Sequence, residues 1–167
     1  HHRHKQGEAS AQCVACHMPS TTYMGVDERR DHGLRVPRPD LSDALGTPNA
    51  CNGCHSSMSS NWAAQKIAGW YPSGRHKSKH WGQAIHAGQW SAVDAERQLV
   101  GVLARSDTPP IVRATVIGLL PAFASENSLP AFPLALEDDD PMVRIAALEA
   151  IDGFPQELLL EWATKSL

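Results

Sequence analysis

"DTPPIVRATVIGLLPAF", residues 107–123, and "DDDPMVRIAALEAIDGF", residues 138–154, register on one another at an offset of 31. Pro110 falls on Pro141, Val112 on Val143, Arg113 on Arg144, Ala114 on Ile145, Leu120 on Ile151 and Phe123 on Phe154; upstream, Leu103 falls on Leu134. Self-similarity at such a period marks stacked units, each too small to bury its apolar face alone. Each copy is expected as a helix, an acidic turn, a proline in the first helical turn, and a second helix. Proline suits that position because the backbone donor it lacks would be unpaired there anyway. Asp140, just before Pro141, is expected to cap its helix. Ser91, with Asp94 three residues on, resembles a capping box and predicts a helix start there. The back of the chain is therefore read as architectural.

This pattern resembles the HEAT-type helical repeat, whose D-x-x-V-R signature is expected in both copies, over about residues 92–165. Two repeats are few for a free-standing stack, so they are expected to lean on the front of the chain or on a partner. The acidic run Glu137–Asp140 is expected to be a solvated turn, with docking of a basic partner as the alternative.

The rest of the 167 residues has a different character. All four cysteines lie before residue 55 and all nine histidines before residue 87. Residues 1–90 hold ten Lys and Arg against six Asp and Glu, a net of +4; residues 91–167 hold five against twelve, a net of −7. That division predicts two modules, 1–90 and 91–167. No apolar stretch approaches the roughly 20 residues that span a bilayer. There is no charged-then-apolar leader and no initiator methionine, so the chain is expected to be processed, truncated or partial. The opening "HHRHK" is broken by Arg3 and Lys5 and is taken as native rather than as a tag.

Residues 1–58 are rich in Pro, Gly, Ser and Asn and read as loops and short turns. A loop-rich segment of that length is uncommon in a compact domain unless something other than its side chains forms the core. Helical periodicity returns in "NWAAQKIAGWY", where Ala63, Ile67, Trp70 and Tyr71 share a face. Residues 73–80, "SGRHKSKH", form a basic connector too short and too poor in aromatics to suggest nucleic-acid binding.

Every cysteine belongs to one of two C-x-x-C-H motifs: Cys13-Val-Ala-Cys16-His17 and Cys51-Asn-Gly-Cys54-His55. Two thiols three residues apart can each join one vinyl group of the same porphyrin, leaving the next residue under the iron as the proximal imidazole. That is the attachment signature of c-type haem, and it predicts two haem c groups with His17 and His55 as proximal ligands. A four-thiolate zinc site competes, but the gap from Cys16 to Cys51 is long for one and zinc leaves both histidines unexplained. A disulfide framework and a thioredoxin-like redox pair, which expects a βαβ context, are the remaining readings.

"CVACHMP", with a histidine-containing stretch before it and a histidine after it, resembles the CxxCHMP segment of multihaem c-type cytochromes. These include the pentahaem nitrite reductases and related electron carriers. The resemblance covers roughly residues 1–58. No CxxCK variant, the form used by the catalytic haem of those reductases, is present. A front of this kind joined to helical repeats is similar to large multihaem cytochromes with C-terminal repeat domains.

Each iron has a sixth position, and a second histidine there makes an electron-transfer centre. His32, in the constrained loop "RRDHGLR", is the first choice. The resemblance adds an upstream histidine, His4 or its neighbour His2, and His80, beside His76 and His86, completes the candidates. Met18 follows His17 too closely to reach the far face; Met24 and Met58 are the thioether options. Arg29, Arg30, Arg35 and Arg38 are expected to pair with haem propionates, since guanidinium forks suit carboxylates. Trp62, Trp70, Trp81 and Trp90 are expected mostly in helix cores, with packing on porphyrin as the alternative.

The expectation is a mainly α protein: a loop-rich dihaem cytochrome c module followed by a short HEAT-like repeat domain. It would relay electrons to redox partner proteins, to further haem modules of the same complex, or along a self-assembled chain. Thioether formation outside the reducing cytosol implies a periplasmic or extracellular setting in a prokaryote. An oxidoreductase acting on a small nitrogen or sulfur oxyanion, and an interaction module carrying its haems as passengers or sensors, are the alternatives.

Overall fold

In the computed structural model, which describes residues 3–74 and 78–165, the chain divides into two units, His1–Ser78 and Lys79–Leu167. The first begins with a single 3-10 turn, Ala9–Ala11, followed by α1 (Cys13–His17), a hairpin of β1 (Ser20–Tyr23) and β2 (Asp27–Arg30), α2 (Pro39–Leu45), α3 (Ala50–Cys54) and α4 (Ser60–Trp70). α1 packs on α3, and α4 receives both α2 and α3.

The hairpin stands where loops were expected. Thr21, Thr22 and Tyr23 favour extended backbone, and β1 pairs with β2 from Ser20 opposite Arg30 to Tyr23 opposite Asp27. Met24 and Gly25 turn the chain with φ of 52° and 76°, the left-handed turn that matches strand twist. The helices are short and individually capped. α2 carries Pro39 in its first turn and ends on Gly46 at φ 67°; Asn49 caps α3 and Ser59 caps α4. Among the described residues of this unit only Pro39, Ser42 and Ala63 are buried. Ala63 lies on the predicted face of α4, with Ile67 and Trp70 half-buried beside it.

The second unit holds the hydrophobic core. Its helices are α5 (Trp81–Gln89), α6 (Ala95–Leu103), α7 (Pro110–Leu119), α8 (Ala131–Leu136), α9 (Pro141–Ile151) and α10 (Gln156–Lys165), with a 3-10 turn Leu120–Phe123 after α7. α5 lies against α6 and α7, α7 against α9, and α8 against α9. Leu99, Val116, Ile117, Leu120 and Phe132 are fully buried between them. A Cβ at Gly88 would sit 3.2 Å from Leu99 Cδ1 and 3.3 Å from Leu119 Cδ1, which is how closely α5 approaches. The contact boundary falls between Ser78 and Lys79, where the charge count placed it near residue 90; α5 groups with the repeats because it packs on α6 and α7.

The offset of 31 survives in three dimensions. Pro110 and Pro141 each open a helix, and Val112 and Val143 are buried alike. Asp140 caps α9 by accepting from the Met142 N–H at 2.9 Å. Two expectations need correction. The D-x-x-V-R signature holds in the second copy alone: Pro109 occupies the cap position of α7 and offers no side-chain acceptor. Ser91 does not cap a helix but turns the chain at φ 52°. α6 instead begins at Ala95, and Asp94 accepts from the side chains of Arg97 and Gln98. The copies also differ in cover, since Ala114 and Ile117 are buried while their counterparts Ile145 and Leu148 are 56% and 59% exposed.

The two repeat arginines do matching work. Arg113 donates to the Thr108 carbonyl at 2.7 Å, and Arg144 donates to the carbonyl of Asp139, the counterpart of Thr108, at 3.0 Å. Arg113 also spans the repeats, its Nε and Nη2 donating to both oxygens of Asp138 at 2.9 and 2.7 Å. That fork holds the Asp138 carboxyl below its ordinary value, against a smaller opposing effect of burial. A carboxylate with a depressed folded pKa contributes stability above the usual value near 4 and loses it as pH falls through the folded one. Asp138→Asn is therefore expected to cost about 1.5–3 kcal/mol at pH 7, the range for hydrogen bonds to charged groups. The gap between variant and parent should narrow towards pH 3, which urea unfolding at the two pH values checks.

Candidate cofactor-attachment site

Both C-x-x-C-H motifs fold as one turn of helix. The first is α1 itself; in the second, α3 ends at Cys54 and the His55 N–H continues the pattern to the Cys51 carbonyl at 2.9 Å. Residues three apart on a helix share a face, so the two thiols of each motif lie side by side. Packing of α1 on α3 makes neighbours of the pairs. Burial pushes the Cys16 thiol up from its ordinary pKa, with the nearby sulfurs of Cys54 and Cys13 adding to it. Burial, then Cys16, does the same for Cys51. All four cysteines are free thiols. Among the described residues no three His, Cys, Asp or Glu side chains converge as a metal-holding group.

His17 is held in a specific tautomer. Its Nδ1 lies 2.8 Å from the Arg35 carbonyl oxygen, which can only accept, so Nδ1 carries a proton and in the neutral ring Nε2 is the nitrogen with the free lone pair. Ligating histidines usually donate their second ring N–H to a carbonyl or carboxylate in this manner. Arg30 secures the same turn from its C-terminal end, donating to the carbonyls of Met18 at 3.2 Å and Val14 at 3.5 Å.

The second motif is braced by asparagines. Asn49 Oδ1 accepts from the N–H groups of Cys51 and Asn52. Its Nδ2 donates to Asn52 Oδ1 at 2.7 Å and to Ser60 Oγ at 3.3 Å. Asn52 Nδ2 donates in turn to the carbonyls of His55 and Met58 at 3.2 and 2.6 Å. Over this frame the His55 ring has His4 at a centroid distance of 6.2 Å and Trp62 at 5.0 Å. Asn49 and Asn52 were absent from the sequence-based site; an asparagine just before a short helix was the available signal.

The other candidates fall in varied places. His32 is exposed in the loop after β2, and among the described residues no hydrogen bond or ring contact holds it. His2 and His76 lie outside the described residues. His80 belongs to the second unit and caps α5, its Nδ1 accepting from the Gly82 N–H at 3.1 Å. Arg29 pairs with Asp27 at 3.2 Å and lies over the Tyr23 ring, and Arg35 faces Asp31 at 3.8 Å. Arg38 grips both oxygens of Asp40; burial works to raise that carboxyl, and the guanidinium outweighs it, leaving its pKa lowered. Trp81 packs on the second unit's core, while Trp90 is exposed.

The donors are of the right kind for covalent haem at each motif: paired thiols on one helical face, followed by an imidazole, which at the first motif has its Nδ1 engaged by the Arg35 carbonyl.

The second unit is a domain of stacked helical hairpins. Residues 98–166 match the family model of HEAT repeats, so the chain carries HEAT-like repeats in its C-terminal part. No curated protein and no solved structure matches the chain. Among the described residues no helix is long and apolar enough to cross a membrane.

Proposed function

We propose that the first unit is a dihaem c-type cytochrome module and that the protein transfers electrons, with the HEAT-like repeats as its architectural and docking part. The observation that carries the reading is the His17 hydrogen bond to the Arg35 carbonyl, which leaves Nε2 ready for iron. The four cysteines would anchor the two groups: each thiol adds S–H across a vinyl C=C, sulfur to the inner carbon and hydrogen to the outer, with nothing leaving. When bound, haem supplies a one-electron ferric–ferrous couple. The chain's own part is to hold it. The paired thiols fix each porphyrin, His17 and His55 orient the irons, and Trp62 shields the His55 side from water. Packing of α1 on α3 sets the two attachment turns side by side, which suits transfer between centres and onward to a redox partner. The setting would be periplasmic or extracellular, where thioether attachment takes place.

The test is a pyridine haemochrome count and a reduced-minus-oxidised spectrum on protein from an exporting host that attaches haem c. Two covalent haems per chain and a low-spin spectrum unchanged by carbon monoxide are expected. Two haems with carbon monoxide bound by the untreated protein would favour a reductase acting on a small nitrogen or sulfur oxyanion. Zinc without a Soret band would overturn the haem reading.

A further inference from the structure

We infer that Arg144, Ile145 and Leu148 on α9 form a docking surface for one amphipathic helix of a partner protein, a helix with a carboxylate just ahead of its first turn. The inference rests on the docking role proposed for the repeats and adds the surface and the chemistry it recognises; the haems play no part in it.

Comparison of the two copies reveals the surface. On α7, Ala114 and Ile117 are buried, whereas their counterparts on α9, Ile145 and Leu148, are 56% and 59% exposed. What covers α7 is the second copy itself. α9 lies against α7, Ile117 shares a cleft with Ala135 and Val143, and Arg113 forks Asp138, the acid that precedes α9. On α9 the corresponding place is open among the described residues. Arg144 donates to the carbonyls of Asp138 and Asp139 at 2.7 and 3.0 Å, and among the described residues no carboxylate forms an ion pair with it.

The other side of the second copy is closed, since Trp162 of α10 packs on Phe132 and Phe154. One further helix therefore suffices to cover what is open. Aliphatic side chains three apart on a helix are neighbours and offer an apolar stripe that an amphipathic helix can seat on. Arg144 beside them selects an acid, for which a guanidinium is the matched partner. A second copy of the chain is the poorer occupant, because its own matching surface, Asp138 with the inner side of α9, is already seated on α7.

The full chain extended after Leu167 by a copy of its residues 137–154 supplies such a helix as a tethered probe, and the offset of 31 keeps that copy in register. Tethering raises its effective concentration at the surface. The extended chain should show a higher urea midpoint than the parent. Ile145→Lys should leave the parent's midpoint nearly unchanged, because the side chain is exposed, and should abolish the rise in the extended chain. Changing the appended counterpart of Asp138 to Asn should remove part of the rise. An extended chain with the parent's midpoint, or a rise that Ile145→Lys spares, would overturn the surface and leave the dihaem reading standing. A parent chain that self-associates in sedimentation, and that Ile145→Lys returns to monomer, would overturn the choice of a partner helix in favour of a second copy.

Discussion

Phe132→Ala is expected to destabilise the second unit by about 3–5 kcal/mol, the range for a large aromatic removed from a packed core. Phe132 is fully buried and is the centre of an aromatic trio. The Phe154 ring meets it edge-on at 4.9 Å, the Trp162 ring lies nearly parallel at 6.0 Å, and Phe154 and Trp162 meet each other at 5.8 Å. Each such pair adds about 0.5–1.5 kcal/mol beyond the area it buries. Phe132 comes from α8, Phe154 from the turn after α9 and Trp162 from α10, so truncation loosens three elements at once. Against a typical domain stability of about 5–15 kcal/mol, the loss is large enough to lower the urea midpoint sharply. Leu134→Ala, on the same helix but 70% exposed, should shift it by no more than about 0.5 kcal/mol. Equal effects from the two variants would refute the placement of Phe132.

The second large effect concerns the motifs. If the proposed dihaem reading holds, Cys51→Ala/Cys54→Ala is expected to lower the covalent haem count from two per chain to one, and the same change at all four cysteines to abolish it. The dependence would be steep because a pair of thiols on one helical face would be the tether, and among the described residues of this unit only Pro39, Ser42 and Ala63 are buried, a poor substitute for an apolar pocket. Asn49→Ala provides the graded comparison. It removes the α3 cap at about 1 kcal/mol and the brace to Ser60, yet leaves both thiols, so the count should stay at two while the second centre's spectrum broadens. A count unaltered by loss of Cys51 and Cys54 would sink the attachment scheme.

The repeat was legible because period, proline and V-R recur in one register, and burial of Val112 with Val143 follows that alignment. What the alignment obscured was local. Pro109 lies where the second copy has its capping aspartate, and chain tracing alone could not tell that Arg113 would take Thr108 and Asp138 as its partners. In the front unit the cysteine–histidine spacing is a local pattern, and the structure makes each copy a turn of helix with its thiols on one face. The hairpin was not legible, because a four-residue strand leaves too little alternation to detect. The pairing of His4 with His55 was equally hidden, since only tertiary structure joins residues so distant. The arginines chosen for propionates were read from charge alone; in the fold Arg38 takes Asp40 and Arg29 takes Asp27, carboxylates two residues away.

The scarcity of buried residues in the first unit has a calorimetric consequence. The heat-capacity step of unfolding scales with the apolar surface newly hydrated, and the core cluster of buried apolar residues lies from Lys79 onward. The melting endotherm of the chain is accordingly expected to come mainly from the second unit, so that a curve normalised to the whole chain would understate the specific heat of the part that melts.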